Sequence, residues 1–389
     1  VALTYRQIDA QVDAYARRLG LDRERHRIVS WLPLYHDMGL VACLLTPLTL
    51  GLETVQLSPF RWVGRPDSLL EAVEAHRGTH VWMPNFAFHH IARAVRPRAA
   101  GGRLDSVEMM VNCSEPCKPA AFDAFLDRWR ANGVEADRLG CCYAMAETVF
   151  ALTQTRPGHT ARRLRVDGET FGVQGAAVRA VEDGGHAMLS CGPALDGVEL
   201  RILDGSGRQL GEDRYGEIVV RAPFLFDGYF KDPARTALSM TPDGFYRTRD
   251  VGFLRVGELF VCGRLDDMII VSGRNLYAHE IEALVSDVDG VTPGRAVAFS
   301  VHKDEAGSDA LIVVAESQRS DAGDRSAIAL AIAEAINDTV GVAPADIVLL
   351  APKTIHKTTS GKVDRKANRS AYIRGTLAAW HDPALQEST

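Results

Sequence analysis

Apolar positions in the first 150 residues repeat with two different periods. Residues 5–19 place apolar side chains three or four positions apart, which predicts a helix that Thr4 begins and Gly20 ends. Short apolar runs, such as IVSWLPL (28–34) and THVWMP (79–84), predict strands and alternate with amphipathic segments such as PDSLLEAVEAHR (66–77). Strands that alternate with helices predict a mostly parallel sheet with both faces covered.

The pattern changes twice further along the chain. From about Gly158, short strands stand between Gly-rich turns, which predicts a small barrel-like β region. After Arg264, strands and helices mix again, and AVAFSVHK (296–303) and ALIVVAES (310–317) are predicted to pair as strands. We therefore predict three parts: an α/β part over 1–157, a β-rich barrel-like subdomain over 158–264 and an α+β C-terminal domain over 265–389.

The bulk composition excludes several classes of protein. A net charge of −6 argues against general affinity for nucleic acid. The longest apolar stretch, 40–50, contains Pro47 and is shorter than the about 20 residues of a membrane-spanning helix, so we expect no membrane insertion. The seven cysteines are an odd number without the spacing of a disulfide framework, which predicts reduced thiols and a cytoplasmic location.

Seven separated stretches resemble, in the same order, motifs of the adenylate-forming (ANL) superfamily of acyl-CoA synthetases and adenylation domains. They are SWLPLYHDMGL (30–40), NCSEP (112–116), CYAMAET (142–148), GEIVVRAP (216–223), YRTRDVGFL (246–254), GRLDDMIIVSGRN (263–275) and TTSGKVDRKANR (358–369). Within the superfamily, LPLYHDMGL and SCGP (190–193) resemble the fatty acyl-AMP ligase branch. The resemblance covers nearly the whole chain.

The resemblance implies an α/β fold of ANL type, with a β-rich subdomain and a small mobile α+β C-terminal domain. It also implies that the large domain is N-terminally truncated, because the family's phosphate-gripping loop precedes the first motif and no such loop occurs in these 389 residues. In the family, the large domain forms an acyl adenylate from ATP and a carboxylic acid. The C-terminal domain then moves so that a thiol can displace AMP.

The same resemblance implies cofactors and partners. ATP or AMP and Mg²⁺ are the expected cofactors, and a fatty or related carboxylic acid, or its acyl thioester, is the expected substrate. In the acyl-AMP ligase branch, the accepting thiol is the phosphopantetheine arm of an acyl carrier protein. We therefore expect a carrier protein as partner, and a role in lipid, polyketide or peptide natural-product biosynthesis.

Nucleotide-binding candidates follow from the matched motifs. Asp250 matches the family's ribose-binding aspartate, and a carboxylate can accept hydrogen bonds from both sugar hydroxyls. By resemblance, Arg264 also touches the ribose. Glu147 matches a glutamate that contacts Mg²⁺, an ion usually held by one or two carboxylates plus phosphates. The other nucleotide-binding candidates lie in two motif loops: Tyr143, Cys113 and Ser114.

Catalytic and acyl-binding candidates also follow from the motifs. Lys362 lies in a Gly-containing loop that can insert a cation beside a carboxylate and an α-phosphate, where it would stabilise charge developing in the transition state. Asp266 matches the family's hinge. The acyl pocket or its mouth is expected at Tyr35, His36 and Asp37, and His36 is a second catalytic candidate.

Three positions depart from the motifs where the nucleotide should bind. Cys113, Ala144 and Arg249 stand where the family has glycine, a residue that allows close backbone approach and positive φ. We therefore expect bulkier side chains in the adenine and ribose site, and changed or lost use of ATP. Residues 164–173 loosely resemble a piece of the insertion that disfavours CoA in the acyl-AMP ligase branch.

Two other functions stay open on the sequence alone. A remodelled enzyme could transfer or hydrolyse an acyl group without ATP, with Cys113 or Cys142 as nucleophile and His36 as base. A non-catalytic, carrier-binding pseudoenzyme is the other, although the retained ribose and lysine motifs argue against it. Because a partial sheet exposes an edge and an apolar face, we also expect a homodimer or a partner subunit.

Overall fold

The computed structural model describes most of the chain as two compact units. Unit 1 comprises Val1–Cys262 and unit 2 comprises Gly263–Thr389. The described residues are 1–96, 104–114, 116–167, 173–271, 274–303, 308–319, 321–358 and 362–377.

The described residues form ten α-helices and eighteen strands, together with a π-helix at Met38–Leu45 and several short 3₁₀ turns. The helices are α1 (Tyr5–Leu19), α2 (Thr46–Leu50), α3 (Pro59–Gly64), α4 (Asp67–His76), α5 (Asn85–Ala94), α6 (Pro119–Trp129), α7 (Pro233–Leu238), α8 (Ala278–Ser286), α9 (Ala322–Val340) and α10 (Arg365–Ile373). The strands are β1 (Arg27–Ser30), β2 (Glu53–Gln56), β3 (His80–Met83), β4 (Met109–Asn112), β5 (Leu139–Ala144), β6 (Ala151–Gln154), β7 (Arg163–Val166), β8 (His186–Leu189), β9 (Glu199–Leu203), β10 (Gln209–Leu210), β11 (Gly216–Arg221), β12 (Tyr246–Arg255), β13 (Glu258–Arg264), β14 (Met268–Val271), β15 (Arg274–Tyr277), β16 (Val291–Lys303), β17 (Ser308–Ser317) and β18 (Asp346–Leu350).

Unit 1 contains a six-stranded sheet with the order β2-β1-β3-β4-β5-β6. The first five strands run parallel, and β6 is antiparallel to β5. Strands β3 and β4 are buried along their whole length, which explains why they read as continuous apolar runs. The mostly parallel sheet predicted from the sequence is confirmed. Its parallel strands end at one edge, where open α/β sheets bind their ligands.

Helix α1 confirms the predicted helix and its two ends. Thr4 Oγ1 accepts from the Gln7 N–H at 3.3 Å, and Gly20 ends the helix with φ +64°. The buried Tyr15 hydroxyl donates to Gln154 Oε1 at 2.8 Å and accepts from Trp82 Nε1 at 2.8 Å. This network ties α1 to β6 and β3, so the first helix is part of the core of unit 1.

A second sheet in unit 1 has the order β10-β9-β11-β12-β13. Neighbours β10, β9, β11 and β12 pair antiparallel, and β7 and β8 form a separate two-stranded pair. The β-rich part predicted from the sequence is thus present. Strand β12 is the one that matters for function, because it carries the YRTRD motif.

Unit 2 has its own hydrophobic core. Strands β14 and β15 pair antiparallel, and a three-stranded sheet has the order β16-β17-β18. Helix α9 buries Ile328, Ile332 and Ile336, which lie four residues apart on one face and pack into the same cluster as Leu311 and Val313 of β17. The pairing of AVAFSVHK with ALIVVAES predicted from the sequence is confirmed.

Some element boundaries differ from the sequence prediction. The strand predicted over 28–34 ends at Ser30, whose hydroxyl accepts from the Leu32 N–H at 3.1 Å and turns the chain. Helices α5 and α10 are absent from the sequence prediction although both are amphipathic; α5, for example, buries Ala87, Phe88 and Ile91 on one face. Among the described residues, no helix combines the length and apolar character needed to span a bilayer.

A buried histidine makes the stability of unit 1 sensitive to acid. Burial, and to a smaller extent the nearby His26 ring, lowers the pKa of His80 to about 3. The unfolded chain takes up a proton at His80 below its ordinary pKa of 6.5, whereas the folded chain does so only near 3. We therefore expect the free energy of unfolding to decrease as the pH falls from 6.5 towards 3, by at most about 5 kcal/mol.

Urea unfolding at pH 7 and pH 4.5, followed by tryptophan fluorescence, tests this expectation. His80→Phe keeps an aromatic ring next to Trp82 and should flatten the pH dependence. The exposed His159 provides the control, and His159→Gln should retain the acid loss of the parent chain. An equal pH dependence in His80→Phe and the parent would contradict the assignment.

Candidate functional site

The loops that follow β4 and β5 form the centre of the candidate site. Strand β4 ends at Asn112, whose side chain donates from Nδ2 to Asn85 Oδ1 at 2.6 Å. Asn85 in turn donates to the Pro116 carbonyl at 2.7 Å. The two asparagines therefore fix the course of the loop that contains Cys113 and Ser114. Glu115 of the same motif lies outside the described residues.

Tyr143 and Asp250 come together at this edge. Tyr143 lies near the end of β5, and its hydroxyl donates to Asp250 Oδ2 at 2.6 Å. Asp250 lies on β12, where its N–H donates to Thr248 Oγ1 at 3.0 Å. The hydrogen bond joins the two sheets of unit 1 and brings together two residues that the sequence placed in the ribose and adenine site.

Glu147 lies in the 3₁₀ turn Ala146–Thr148, just after β5. Its Oε1 accepts from the Tyr229 hydroxyl at 2.9 Å, and the Tyr229 hydroxyl lies 3.0 Å from that of Tyr246 at the start of β12. Burial raises the pKa of Tyr246, and Tyr229 and Glu147 raise it further. Burial also raises the pKa of Tyr229. Both phenols therefore remain neutral hydrogen-bond donors at physiological pH.

Three of the eight described non-glycine residues with positive φ lie at this edge. Ser114, Val149 and Arg249 all have positive φ, at +79°, +63° and +60°. A β-branched residue such as valine rarely adopts this conformation, and each such residue costs about 1–3 kcal/mol. Backbone strain of this kind concentrates at functional sites, which supports a binding role for this edge.

The three glycine replacements do not act alike. Only Arg249 has the left-handed backbone that favours glycine, and its side chain is exposed. Cys113 is fully buried and its thiol packs beside Cys142, so its side chain fills the core instead of the space outside the sheet. The expectation that all three side chains crowd the nucleotide site is therefore wrong for Cys113.

The buried thiols are unsuited to nucleophilic catalysis. Burial raises the pKa of Cys142, and contact with Cys113 raises it further. A nucleophilic cysteine needs the opposite shift. No hydrogen bond joins His36 to Cys113 or Cys142 in the part of the chain that the structure describes, and that part also holds no cluster of acidic, histidine or cysteine side chains suited to a metal ion.

The predicted acyl-pocket residues form a tight loop before the π-helix. His36 Nδ1 lies 2.7 Å from Asp37 Oδ1, and Asp37 accepts from the Met38 N–H at 2.8 Å. A Cβ on Gly39 would lie 2.3 Å from the Pro33 carbonyl oxygen, so only glycine fits there. π-Helices are rare and often occur at functional sites, which supports a binding role for this segment.

This loop contacts the loop that follows β4, where two of the nucleotide-binding candidates lie. Met38 is buried, and its sulfur lies 3.9 Å from the Ser114 hydroxyl. His36 is partly buried and Tyr35 is exposed. The structure thus brings the predicted acyl loop beside the loop that follows β4.

The remaining candidates lie in unit 2. Arg264 ends β13 and is exposed, and Asp266 is exposed in the 3₁₀ turn Leu265–Asp267. Both directly follow the boundary between the two units. Lys362 is exposed, and its carbonyl accepts from the Thr358 N–H at 2.8 Å. Residues 359–361 of this loop and 168–172 of the predicted insertion lie outside the described residues.

Glu147 suits the expected Mg²⁺ only if the ion has further ligands. It is a partly buried carboxylate with one oxygen held by Tyr229. A single carboxylate cannot enclose a bare cation, but it suits Mg²⁺ that arrives with phosphate and water ligands. The residues present are therefore compatible with a nucleotide-bound Mg²⁺, which would neutralise phosphate charge when bound.

Sequence reasoning missed three residues that shape the site. Tyr246 begins a motif that was matched, but nothing in the motif's spacing gave it a role. Tyr229 and Asn85 lie in segments without a matched motif, and their partners are 82 and 27 residues away in sequence. Contacts of this range have no local signal.

Comparison with known proteins identifies the family. A family described as AMP-binding enzyme matches residues 1–230. The medium-chain fatty acid–acyl carrier protein ligase JamA of Moorena producens is 32% identical over 368 residues, covering 90% of this chain and 62% of JamA. FadD30 of Mycobacterium tuberculosis, described as a probable long-chain fatty acid–AMP ligase, is 31% identical over 399 residues, covering 96% of this chain and 67% of FadD30.

Solved structures agree with these matches. A fatty acyl-adenylate ligase structure, from a study of the enzymes of E. coli and L. pneumophila, superimposes with a TM-score of 0.88 at 28% identity, covering 97% of this chain and 67% of that one. An adenylation-domain structure from a keto acid-selecting peptide synthetase module superimposes with a TM-score of 0.87 at 24% identity, which speaks for the fold alone, and covers 96% of this chain and 32% of that one. The chain belongs to the AMP-binding enzymes of the adenylate-forming (ANL) superfamily, in which fatty acyl-AMP ligases are its relatives.

Proposed function

We propose that this chain carries the adenosine-binding and acyl-binding parts of a fatty acyl-AMP ligase, which activates a carboxylic acid as its acyl adenylate and passes the acyl group to a carrier-protein thiol. The observation that carries the proposal is the hydrogen bond between Tyr143 and Asp250 at the carboxyl edge of the first sheet. It brings the Asp250 carboxylate beside the aromatic ring of Tyr143, and both residues belong to matched motifs.

Charge and geometry support the roles of the individual residues. Asp250 would accept from the ribose hydroxyls, and Tyr143 would hold its carboxylate and offer a ring face to adenine. Glu147 would contact a phosphate-bound Mg²⁺. Arg264 would contact the ribose, and Lys362 would stabilise the charge at the acyl carboxylate and α-phosphate.

The relatives support the substrate and partner. JamA is described as a ligase that joins a medium-chain fatty acid to an acyl carrier protein. We propose the same reaction class here, with a fatty or related acid and the phosphopantetheine arm of a carrier protein. This chain spans 62% of JamA and 67% of FadD30, so the activity of the whole protein forms part of the proposal.

The ATP-independent acyltransferase is the weaker alternative. It would require Cys113 or Cys142 as nucleophile, yet both thiols are buried and the pKa of Cys142 is raised. The changed glycine at Arg249 favours altered nucleotide use, because its exposed side chain adjoins Asp250 in sequence.

AMP has no β- or γ-phosphate, so its binding does not depend on contacts to them. Calorimetric titration with AMP therefore tests the adenosine site directly. Asp250→Ala removes a charged acceptor, so we expect AMP affinity to fall about 10- to 100-fold. The exposed Asp196 provides a matched control, because Asp196→Ala removes the same charge from the surface. Absence of AMP binding by the parent chain at millimolar concentration would refute the proposed function.

A further inference from the structure

Glu147 is held by more than the turn in which it lies. Its carbonyl accepts from the Phe226 N–H at 2.7 Å, and its Oε1 accepts from the Tyr229 hydroxyl at 2.9 Å. Both partners lie in the segment that leads to α7. The backbone and the side chain of Glu147 are therefore fixed by the same distant segment.

Tyr229 is itself fixed from three directions. Its N–H donates to Thr236 Oγ1 at 2.9 Å, and its hydroxyl lies 3.0 Å from the hydroxyl of Tyr246. The Arg235 guanidinium lies 3.9 Å above its ring, close enough for a cation–π contact. A ring restrained in this way offers its hydroxyl to Glu147 in one direction only.

The same contacts connect the two candidate ligand-binding carboxylates. Tyr246 and Asp250 lie on one strand, β12, and Asp250 is bound by Tyr143 of β5. Two sets of side-chain hydrogen bonds therefore join β5 and the turn after it to β12. One links Tyr143 to Asp250, and the other runs from Glu147 through Tyr229 to Tyr246. The distance between the ribose carboxylate and the metal carboxylate is set by these two links.

We propose that Tyr229, supported by Tyr246, is a positioning residue that orients the Glu147 carboxylate towards the divalent cation that accompanies the nucleotide. The inference rests on the proposed function. A glutamate side chain that is free to rotate must lose that freedom when it binds a metal, and a hydrogen bond that already restrains it lowers this cost. The Tyr229 hydroxyl therefore makes metal binding stronger without touching the metal.

The experiment measures binding rather than turnover. Mn²⁺ in the presence of ATP is titrated with the chain, and the enhancement of water-proton relaxation reports the bound ion. The variants are Glu147→Gln, Tyr229→Phe, Tyr246→Phe and the double variant Glu147→Gln/Tyr229→Phe. Calorimetric titration of AMP on the same proteins reports the adenosine site without the metal.

We expect Tyr229→Phe to weaken Mn²⁺·ATP binding about 5- to 10-fold, with a smaller loss for Tyr246→Phe, and AMP affinity to stay within about 2-fold of the parent. Because Tyr229 acts through Glu147, the double variant should be no weaker than Glu147→Gln alone. Tyr372→Phe is the matched control, since the Tyr372 hydroxyl donates to the Asp346 carboxylate at 2.7 Å in unit 2. It should bind Mn²⁺·ATP like the parent.

The possible outcomes test the positioning role of Tyr229 separately from the proposed function. If Tyr229→Phe binds Mn²⁺·ATP like the parent while Glu147→Gln does not, the positioning role is wrong and the proposed function stands. Additive losses in the double variant would also overturn the positioning role, because the two side chains would then act independently. If the parent binds neither AMP nor Mn²⁺·ATP, the proposed function fails and the inference fails with it.

Discussion

Replacing Arg365 with alanine is expected to destabilise unit 2 by about 3–5 kcal/mol, because it leaves the largely buried Glu282 carboxylate, whose side chain is 15% exposed, without its counter-charge. The Arg365 guanidinium donates to both oxygens of Glu282 at 2.8 Å and contacts Asp267 Oδ2 at 2.6 Å. Burial raises the pKa of Glu282, and the Arg365 guanidinium partly offsets this. A loss of this size is a large fraction of the about 5–15 kcal/mol that stabilises a typical domain.

An exposed ion pair in the same unit gives the matched control. Arg319 Nη2 lies 2.7 Å from Asp289 Oδ2, but the two side chains are 44% and 90% exposed, so Arg319→Ala should change stability by less than about 1 kcal/mol. Urea unfolding followed by circular dichroism reports both units. Tryptophan fluorescence reports mainly unit 1, because four of the five tryptophans of the sequence lie there. An Arg365→Ala curve that matches Arg319→Ala would contradict the prediction.

The Arg365 contacts link two separate segments of unit 2. Arg365 begins α10, three residues after Lys362, and its two acidic partners lie on α8 and beside the predicted hinge residue Asp266. The segment that carries the lysine and the segment that carries the hinge are thus joined by one guanidinium. A hinge that moves Lys362 needs such a connection, since a soft link would absorb the movement.

The sequence alone was sufficient to predict the structure where the local residue pattern agrees with the fold. Helix α1 has apolar periodicity, a threonine at its start and a terminal glycine, and all three predicted the structure correctly. The parallel sheet was also predictable, because buried strands read as apolar runs. The π-helix was not predictable, since its apolar run 38–45 fits a helix of any type.

The site was predictable only where a motif could be matched. Tyr143, Asp250 and Glu147 were named from the sequence, and the structure places Tyr143 against Asp250. The direction of the Cys113 side chain could not be read from the sequence. A residue after a strand can face either side, and only the structure shows that this thiol packs against Cys142. The Tyr229 contact with Glu147 joins residues that no local pattern relates.

Lys362→Ala is expected to have the largest effect on catalysis, with acyl-adenylate formation reduced about 10²- to 10³-fold. The physical reason is that the lysine cation would stabilise charge that develops at the carboxylate and the α-phosphate in the transition state. Its exposed side chain, in a loop held by the contacts of Thr358 with the Lys362 carbonyl, suits a group that acts only when the reactants are bound. Pyrophosphate release with a fatty acid and ATP measures this step on the native polypeptide.

Two comparisons separate a loss of chemistry from a loss of binding or folding. AMP affinity should be unchanged in Lys362→Ala, because the proposed ribose contacts at Asp250 remain. The exposed Lys366 lies one turn further on, at the start of α10, so Lys366→Ala removes the same charge nearby and should retain full adenylation. Transfer of the acyl group from a preformed acyl adenylate to a carrier protein should also persist, since that step no longer needs charge stabilisation at the carboxylate. Equal adenylation rates for Lys362→Ala and Lys366→Ala would show that the lysine has no special role, and the motif match at the C-terminal end would then carry no function.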